Sequence, residues 1–443
     1  MRIAFALHTL NPASGGVASA TVELAQALSA RGHAVTLITF DAPNRHLLST
    51  LYSPLSCLPL GPSFTSYGFI PNLSKKLQPY AASFDIIILN GLWLYSTYGV
   101  SRWARKNKIP CALFPHGMLD PYFKNFPLKH LKKLLYFSLF ERDTIANVQA
   151  LCYTTSSELA LAQKTFPLFA PRRQEVVGLG LRGCGCSLID ARKEFLEKFP
   201  ALKGKKFLLY LGRFHPKKGA DLLLKAIKQF PNLTLVMAGP GENTDFYRSL
   251  RRDSAHPLAP STMEGKIITG LRPATPGNAQ NSAASNSISS SHRLEGTTGN
   301  SPTFQGGAAT SQILWTGLLS GAQKWGALAA ADALILPSHQ ENFGMVVAEA
   351  LSAGTPALIS DKVALAEEVM RGYCGFVDAD TLQGTISLIR RFSKLSPREI
   401  SAMRDRAIEC YKNNFLPESV AEKLECLIQK ISKETGETHA KLF

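Results

Sequence analysis

Short, nearly continuous apolar runs punctuate the first part of the chain: Ile3 to Leu7, Ala34 to Phe40, Phe84 to Leu89 and Cys111 to Phe114. Runs of this length between turn residues read as strands buried on both faces, as in a parallel sheet covered by helices. Between the first two, Asn11-Pro-Ala-Ser-Gly-Gly16 marks a turn and Val17 to Ala30 a helix ended by Gly32. The chain therefore opens as strand, helix, strand. The same pattern returns later. Leu208 to Leu211, Leu233 to Ala238, the neighbourhood of Ile313 to Thr316, Ala333 to Pro337 and Cys374 to Val377 predict strands. Phe246 to Arg252 and Gly344 to Ala353 predict helices, the second stopped by Gly354 and Pro356, and Asn414 to Ile431 has helical apolar spacing. Two such halves predict an α/β protein.

With 443 residues and 45% apolar content, the chain can bury two cores of ordinary domain size. Gly178-Leu-Gly-Leu-Arg-Gly183 suits a hinge between the halves. Residues 255–311 break the pattern, being rich in Ser, Asn, Gly, Thr and Ala with few large apolar residues, and predict an inserted, mostly disordered loop. Loop-closure entropy grows slowly with length, so such an insertion need not unfold its host.

No segment approaches the apolar length of a membrane span, and Met1 to Leu10 lacks the charged start and cleavage site of a signal peptide. The expectation is a cytoplasmic protein whose eight Cys are reduced thiols; Cys184-Gly-Cys186 is a lone C-x-C without the second pair a metal site needs. Net charge is +16, and residues 1–178 hold 17 Lys and Arg against 8 Asp and Glu. Within them Lys124, Lys129, Lys132 and Lys133 interleave with Phe126, Leu128, Leu131, Leu134, Leu135 and Phe137. A basic amphipathic stretch can lie on an anionic leaflet, each Lys contributing about 1 kcal/mol near the surface. The alternative is a domain helix with a solvated face. No recognised nucleic-acid module accompanies the charge, so nucleic acid is not an expected partner.

The candidate chemistry centres on Glu341 and Glu349. Glu341 falls in the predicted strand-to-helix turn and Glu349 more than a turn inside the helix, with the free N–H groups near Phe343, Gly344 and Met345 between them. Such donors suit a phosphate, and flanking carboxylates suit sugar hydroxyls. The plainer reading is an acid favoured by the helix dipole plus a solvent-facing glutamate. A second element weighs against it: after Leu208 to Leu211 comes Gly212-Arg-Phe-His-Pro-Lys-Lys-Gly219, where Arg213 and Lys218 supply the charge a diphosphate needs. His116 ends a strand at the usual ligand crevice, though a lone loop histidine is more often a surface residue. Asp378-Ala-Asp380 reads as a helix cap, leaving no metal site.

These segments resemble the retaining glycosyltransferases of family 4, the "group 1" enzymes of GT-B fold. The resemblance rests on Gly212-Arg213 with Lys218-Gly219, on Gly239-Pro-Gly241, on Trp315-Thr-Gly317 and on Pro337 to Pro356, and covers nearly the full chain outside the insertion. It implies two facing Rossmann-like domains: an acceptor domain over 1–178, a donor domain over 179–413, and a terminal helix over 414–443 returning to the first. It implies that Arg213 and Lys218 bind the donor diphosphate, that Glu341 contacts the donor sugar with help from Asn342 to Met345, and that Glu349 holds the ribose. Gly15 and Gly16 would approach the phosphates, and His116 would touch the donor sugar. Asn90-Gly-Leu-Trp93 departs from the histidine often found at that turn. The implied reaction moves a sugar from a UDP- or GDP-sugar to a glycan or lipid-linked acceptor in cell-surface polysaccharide synthesis, without a metal or other cofactor. Rivals on the same scaffold are an epimerase or a phosphorylase, and outside it a basic, non-catalytic binding protein.

Overall fold

The computed structural model describes residues 1–11, 16–43, 54–121, 124, 127–166, 169–242, 244–255 and 312–440. Gly15, Phe126, the side chain of Lys129 and the insertion from 256 to 311 lie outside the described residues.

Two parallel sheets organise the chain. The first contains β1 (Arg2–Leu7), β2 (Ala34–Thr39), β3 (Ser56–Pro59), β4 (Ile86–Asn90), β5 (Cys111–Phe114), β6 (Ala150–Tyr153) and β7 (Gln174–Val176) in the order 3-2-1-4-5-6-7. The second contains β8 (Phe207–Leu211), β9 (Thr234–Ala238), β10 (Ile313–Gly317), β11 (Ala333–Leu336), β12 (Ala357–Ser360) and β13 (Gly375–Asp378) in the order 10-9-8-11-12-13. Every pairing is parallel. The apolar runs explain why: β4, β5, β8 and β11 are buried along their whole length, so both faces need cover from helices. Strands β3 and β7 escape the sequence pattern because they are short, polar in part and not fully buried.

The winding of each sheet reverses once, between β1 and β4 in the first and between β8 and β11 in the second. A crevice opens outside the carboxyl ends of the strands at such a point. Gly16 follows β1, Asn90 ends β4, Gly212 follows β8, and the Glu341 turn follows β11. The predicted site residues thus cluster at the two reversals.

The chain crosses between the sheets twice, and the two crossings are tied together. The Leu181 N–H donates to the Phe415 carbonyl at 2.9 Å, while the Tyr411 hydroxyl donates to the Leu181 carbonyl at 2.8 Å and accepts from the Gly183 N–H at 2.9 Å. The terminal helix expected from Asn414 runs over Pro417–Ala440, and a separate helix, Pro397–Asn414, ends just before it. Pro417 opens the second helix, where a missing N–H costs nothing. That helix lays Val420, Leu424, Leu427, Ile428 and Ile431 into a core with Ile3, Phe5, Leu7 and Leu28 of the first sheet and its helix.

The expectation of eight reduced thiols is also corrected. Cys184 and Cys186 form a disulfide across one residue of the crossing segment, with Cα atoms 5.2 Å apart, while the other six cysteines are free. That separation lies within the reach of a disulfide, which a search for paired metal motifs does not examine.

Candidate functional site

Folding brings the acidic turn and the basic loop into direct contact. Gly219 has φ +65°, and a β-carbon there would collide with the Pro337 carbonyl, so only glycine lets the basic loop lie against the end of β11. The His339 N–H donates to the Lys217 carbonyl at 2.8 Å, and Lys217 Nζ donates to Gln340 Oε1 at 2.9 Å. The consequence is a half-buried ion pair between Lys218 and Glu341. Burial pushes the Lys218 ammonium down to about 8, with the like charges of Arg213 and Lys217 adding to it.

Glu341 is held by its backbone as well. Its N–H donates to the Lys362 carbonyl and its own carbonyl accepts from the Ala364 N–H, each at 3.1 Å. Gly344, at φ +88°, is the left-handed cap of the helix Met345–Ser352, one residue later than the sequence suggests. The first turn of that helix leaves N–H groups without intrahelical partners. Glu349 lies in the helix with its carboxylate 2.9 Å from Lys324 Nζ, a partner the sequence gave no signal for. Arg213 is exposed on the basic loop.

From the first sheet, His116 sits at φ +52° with its ring stacked on Phe114 and Nε2 2.9 Å from Asn90 Oδ1. The Asn90 amide donates to the carbonyls of Ala6 and Ile88, which leaves Oδ1 as the acceptor. His116 therefore carries its proton on Nε2 and keeps the Nδ1 lone pair. Asn90, which looked like a departure from the family pattern, fixes this tautomer. Burial holds the His116 imidazole down at about 4, so it is neutral at physiological pH. The sign follows: the unfolded chain takes up the proton near pH 6.5 and the folded one does so only near 4. Stability tied to this residue is complete above pH 6.5 and is lost as pH falls toward 4. His116→Gln is expected to flatten that acid limb, read as the denaturant midpoint between pH 4 and 7.

Glu158 fixes the rest of the turn, accepting from the Gly117 N–H at 2.6 Å and the Thr154 N–H at 2.7 Å. Across the cleft Gly117 faces Asn342, whose Cβ would lie 2.8 Å from any β-carbon at 117, and Gln340 Nε2 donates to Asp120 Oδ2 at 3.0 Å. Gly16 packs against the Met345 sulfur. Residues of both sheets, among them Gly117, Asp120, Gln340, Glu341 and Asn342, line a cavity of about 590 Å³. Gln340 stands inside the run Pro337 to Pro356 and Asp120 four residues past His116, and only the meeting of two distant loops brings them together. The D-x-D pair is otherwise engaged, with Asp380 2.9 Å from His339 and Asp378 accepting from the Ala379 N–H.

Residues 15–180 match the family of glycosyl transferase 4-like domains, and residues 191–254 with 309–404 match glycosyl transferases group 1. The chain belongs to the family 4, group 1 glycosyltransferases. A GDP-mannose-dependent alpha-(1-6)-phosphatidylinositol dimannoside mannosyltransferase of Mycobacterium tuberculosis is 24% identical over 383 residues, 83% of this chain and 81% of that one. Among solved structures, Anabaena HepE in complex with UDP and glucose is similar with a TM-score of 0.62 at 14% identity, over 97% of this chain and 99% of that one. WaaG, a glycosyltransferase involved in lipopolysaccharide biosynthesis, is similar with a TM-score of 0.58 at 18% identity, over 95% and 98%. The fold of this glycosyltransferase is GT-B.

Of the lysines expected to meet a membrane, Lys124 and Lys132 are exposed, Lys124 Nζ donating to the Lys164 carbonyl at 2.8 Å, while Lys133 is half-buried over the Trp93 ring at 4.7 Å. The helix Pro127–Tyr136 and the π-turn Phe137–Glu141 that continues it also expose Leu128, Leu131, Leu135 and Leu139 by 84, 64, 61 and 60%. Spacings of three and four residues put these leucines in one row. Among the described residues no helix is long and apolar enough to cross a membrane.

Proposed function

We propose that this glycosyltransferase moves a hexosyl group from a UDP- or GDP-sugar to a hydroxyl of a glycan or lipid-linked glycan, with retention of configuration and without a metal ion. The Lys218–Glu341 pair beside the helix start at Met345 carries the reading. It sets a cation for the leaving diphosphate against a carboxylate for the sugar. Arg213 and the N–H groups at Phe343 to Met345 share the diphosphate, and Glu349 receives the ribose once Lys324 yields. As the bond from the anomeric carbon to the phosphate oxygen breaks, negative charge gathers on the diphosphate, and these cations and dipoles stabilise it. The acceptor oxygen bonds to the same face of that carbon and its proton passes to the departing phosphate oxygen. The acceptor belongs to the domain of residues 1–178 and the donor to residues 179–413.

The acceptor class is drawn from the relatives, one acting on a phosphatidylinositol dimannoside and one involved in lipopolysaccharide biosynthesis. A cytoplasmic enzyme resting on the inner leaflet through its leucine row suits such acceptors and a role in cell-surface polysaccharide synthesis.

The donor site is tested by thermal shift with UDP, GDP and ADP and their sugar conjugates, with and without Mg²⁺. The native chain should be stabilised by one nucleotide family regardless of Mg²⁺, and Arg213→Ala and Glu341→Ala should weaken the shift. Shifts indifferent to both substitutions would sink the reading.

A further inference from the structure

A group of side chains beside the cleft has no part in holding the donor. Tyr67 lies in the connection between β3 and β4, Trp93 follows β4, and Tyr136 ends the helix Pro127–Tyr136. Their rings meet, Tyr67 with Tyr136 and Trp93 with Tyr136 at 5.9 Å between centroids, and the two tyrosine hydroxyls lie 2.6 Å apart. All three side chains remain partly open to solvent. Lys133 adds an ammonium over the indole at 4.7 Å and lies within electrostatic range of Asp120, which lines the cleft cavity. Lys133 thus brings a hydrogen-bond donor to the aromatic wall, and Asp120, which accepts from Gln340, an acceptor at the neighbouring cleft.

The wall is built at a cost. Trp93 sits at φ +67°, a conformation that bulky side chains rarely adopt. It is held there by its N–H donating to Glu141 Oε1 at 2.7 Å and its indole N–H donating to the Met118 carbonyl at 3.2 Å. Glu141 has no exposed surface, and its other oxygen has no hydrogen-bond partner among the described residues. It sits in the π-turn Phe137–Glu141, a distortion frequent at functional sites. A buried carboxylate with one oxygen unsatisfied is expensive, and a purely structural wall would be cheaper with an apolar residue there. Met118 lies two residues from both His116 and Asp120, so the wall borders the place where an acceptor hydroxyl must arrive.

We infer that Tyr67, Trp93 and Lys133, with Asp120, form a subsite for the sugar ring of the acceptor. The ring sets its apolar face against the Trp93–Tyr67 wall while Lys133 and Asp120 take adjacent hydroxyls. Glu141 is a positioning residue that keeps Trp93 in its strained turn. This inference rests on the transferase reading and adds the side chains that hold the sugar of the acceptor.

The test is saturation-transfer NMR on the full chain with UDP or GDP present. The probes are methyl glycosides of glucose, galactose, mannose and N-acetylglucosamine. At least one glycoside should show saturated ring protons with the native chain. That signal should fall at least about fivefold in Trp93→Ala and in Lys133→Ala, and recover in Trp93→Phe, which restores an aromatic face. The nucleotide signal should persist in all of them. Lys133→Ala alters a half-buried side chain on a helix surface and keeps the test valid should Trp93→Ala fail to fold. A glycoside signal unchanged in Lys133→Ala, or no glycoside signal with the native chain while the nucleotide still binds, overturns the subsite. Absence of nucleotide signal from the native chain would instead strike at the donor site.

Discussion

Lys218→Ala is expected to lower kcat/KM for the nucleotide sugar by about 10³, the larger part in kcat, since removing one preorganised group that stabilises developing charge typically costs 10² to 10³. Two effects combine. The leaving diphosphate loses its half-buried cation, and Glu341 loses its partner, which leaves a carboxylate beside the phosphates. Repulsion from that carboxylate makes the loss exceed that of Arg213→Ala, whose side chain is exposed. Lys218→Arg keeps the charge and separates the two effects. The native enzyme should also show a characteristic pH dependence. Burial, then Arg213 and Lys217, lowers the Lys218 ammonium to about 8, so the free enzyme holds this charge below that pH and loses it above. The donor kcat/KM is therefore expected to fall above about pH 8, and to stay flat there in Lys218→Arg. Initial rates over pH 6.5 to 9.5 decide the matter. A kcat/KM independent of pH in the native enzyme, or full activity in Lys218→Ala, would remove Lys218 from the mechanism.

Leu131→Ser with Leu135→Ser is expected to reduce partitioning onto vesicles of phosphatidylglycerol and phosphatidylcholine about 100-fold. A fully buried leucine side chain is worth roughly 1.5–3 kcal/mol, so even the low end for two gives that factor. Both side chains are more than three-fifths exposed, so the double variant should fold and keep its thermal midpoint. Binding carried by leucines should largely survive 0.5 M salt, whereas binding carried by lysines would be screened away. Sedimentation with vesicles at two salt concentrations distinguishes them. The prediction names the leucines because four of them stand exposed in one row, while Lys133 is turned onto Trp93.

Local chemistry made much of this protein legible in the sequence. Burial on both faces forces continuous apolar strands, and the turns after β8 and β11 need glycines and charges at fixed places, so the fold class, the basic loop of Arg213 and Lys218, the Glu341 turn and a helix start within one residue of Met345 could be read directly. The family resemblance then implied the roles proposed for His116 and Glu349. What one-dimensional spacing cannot carry is which loops meet. The Lys218–Glu341 pair exists because Gly219 lies against Pro337, more than a hundred residues away, and the His116 tautomer exists because β4 and β5 are neighbours. The helical period from Asn414 to Ile431 marked the terminal helix but not its start at Pro417 or the separate helix that ends at Asn414. The lysines of residues 124–133 look alike in sequence, yet packing turned Lys133 onto Trp93 and left the leucines to solvent. Sequence alone determined which groups the chain carries and the strands and helices that hold them. Tertiary structure decided their partners, because charge pairing and burial depend on distances in space that separation along the chain does not set.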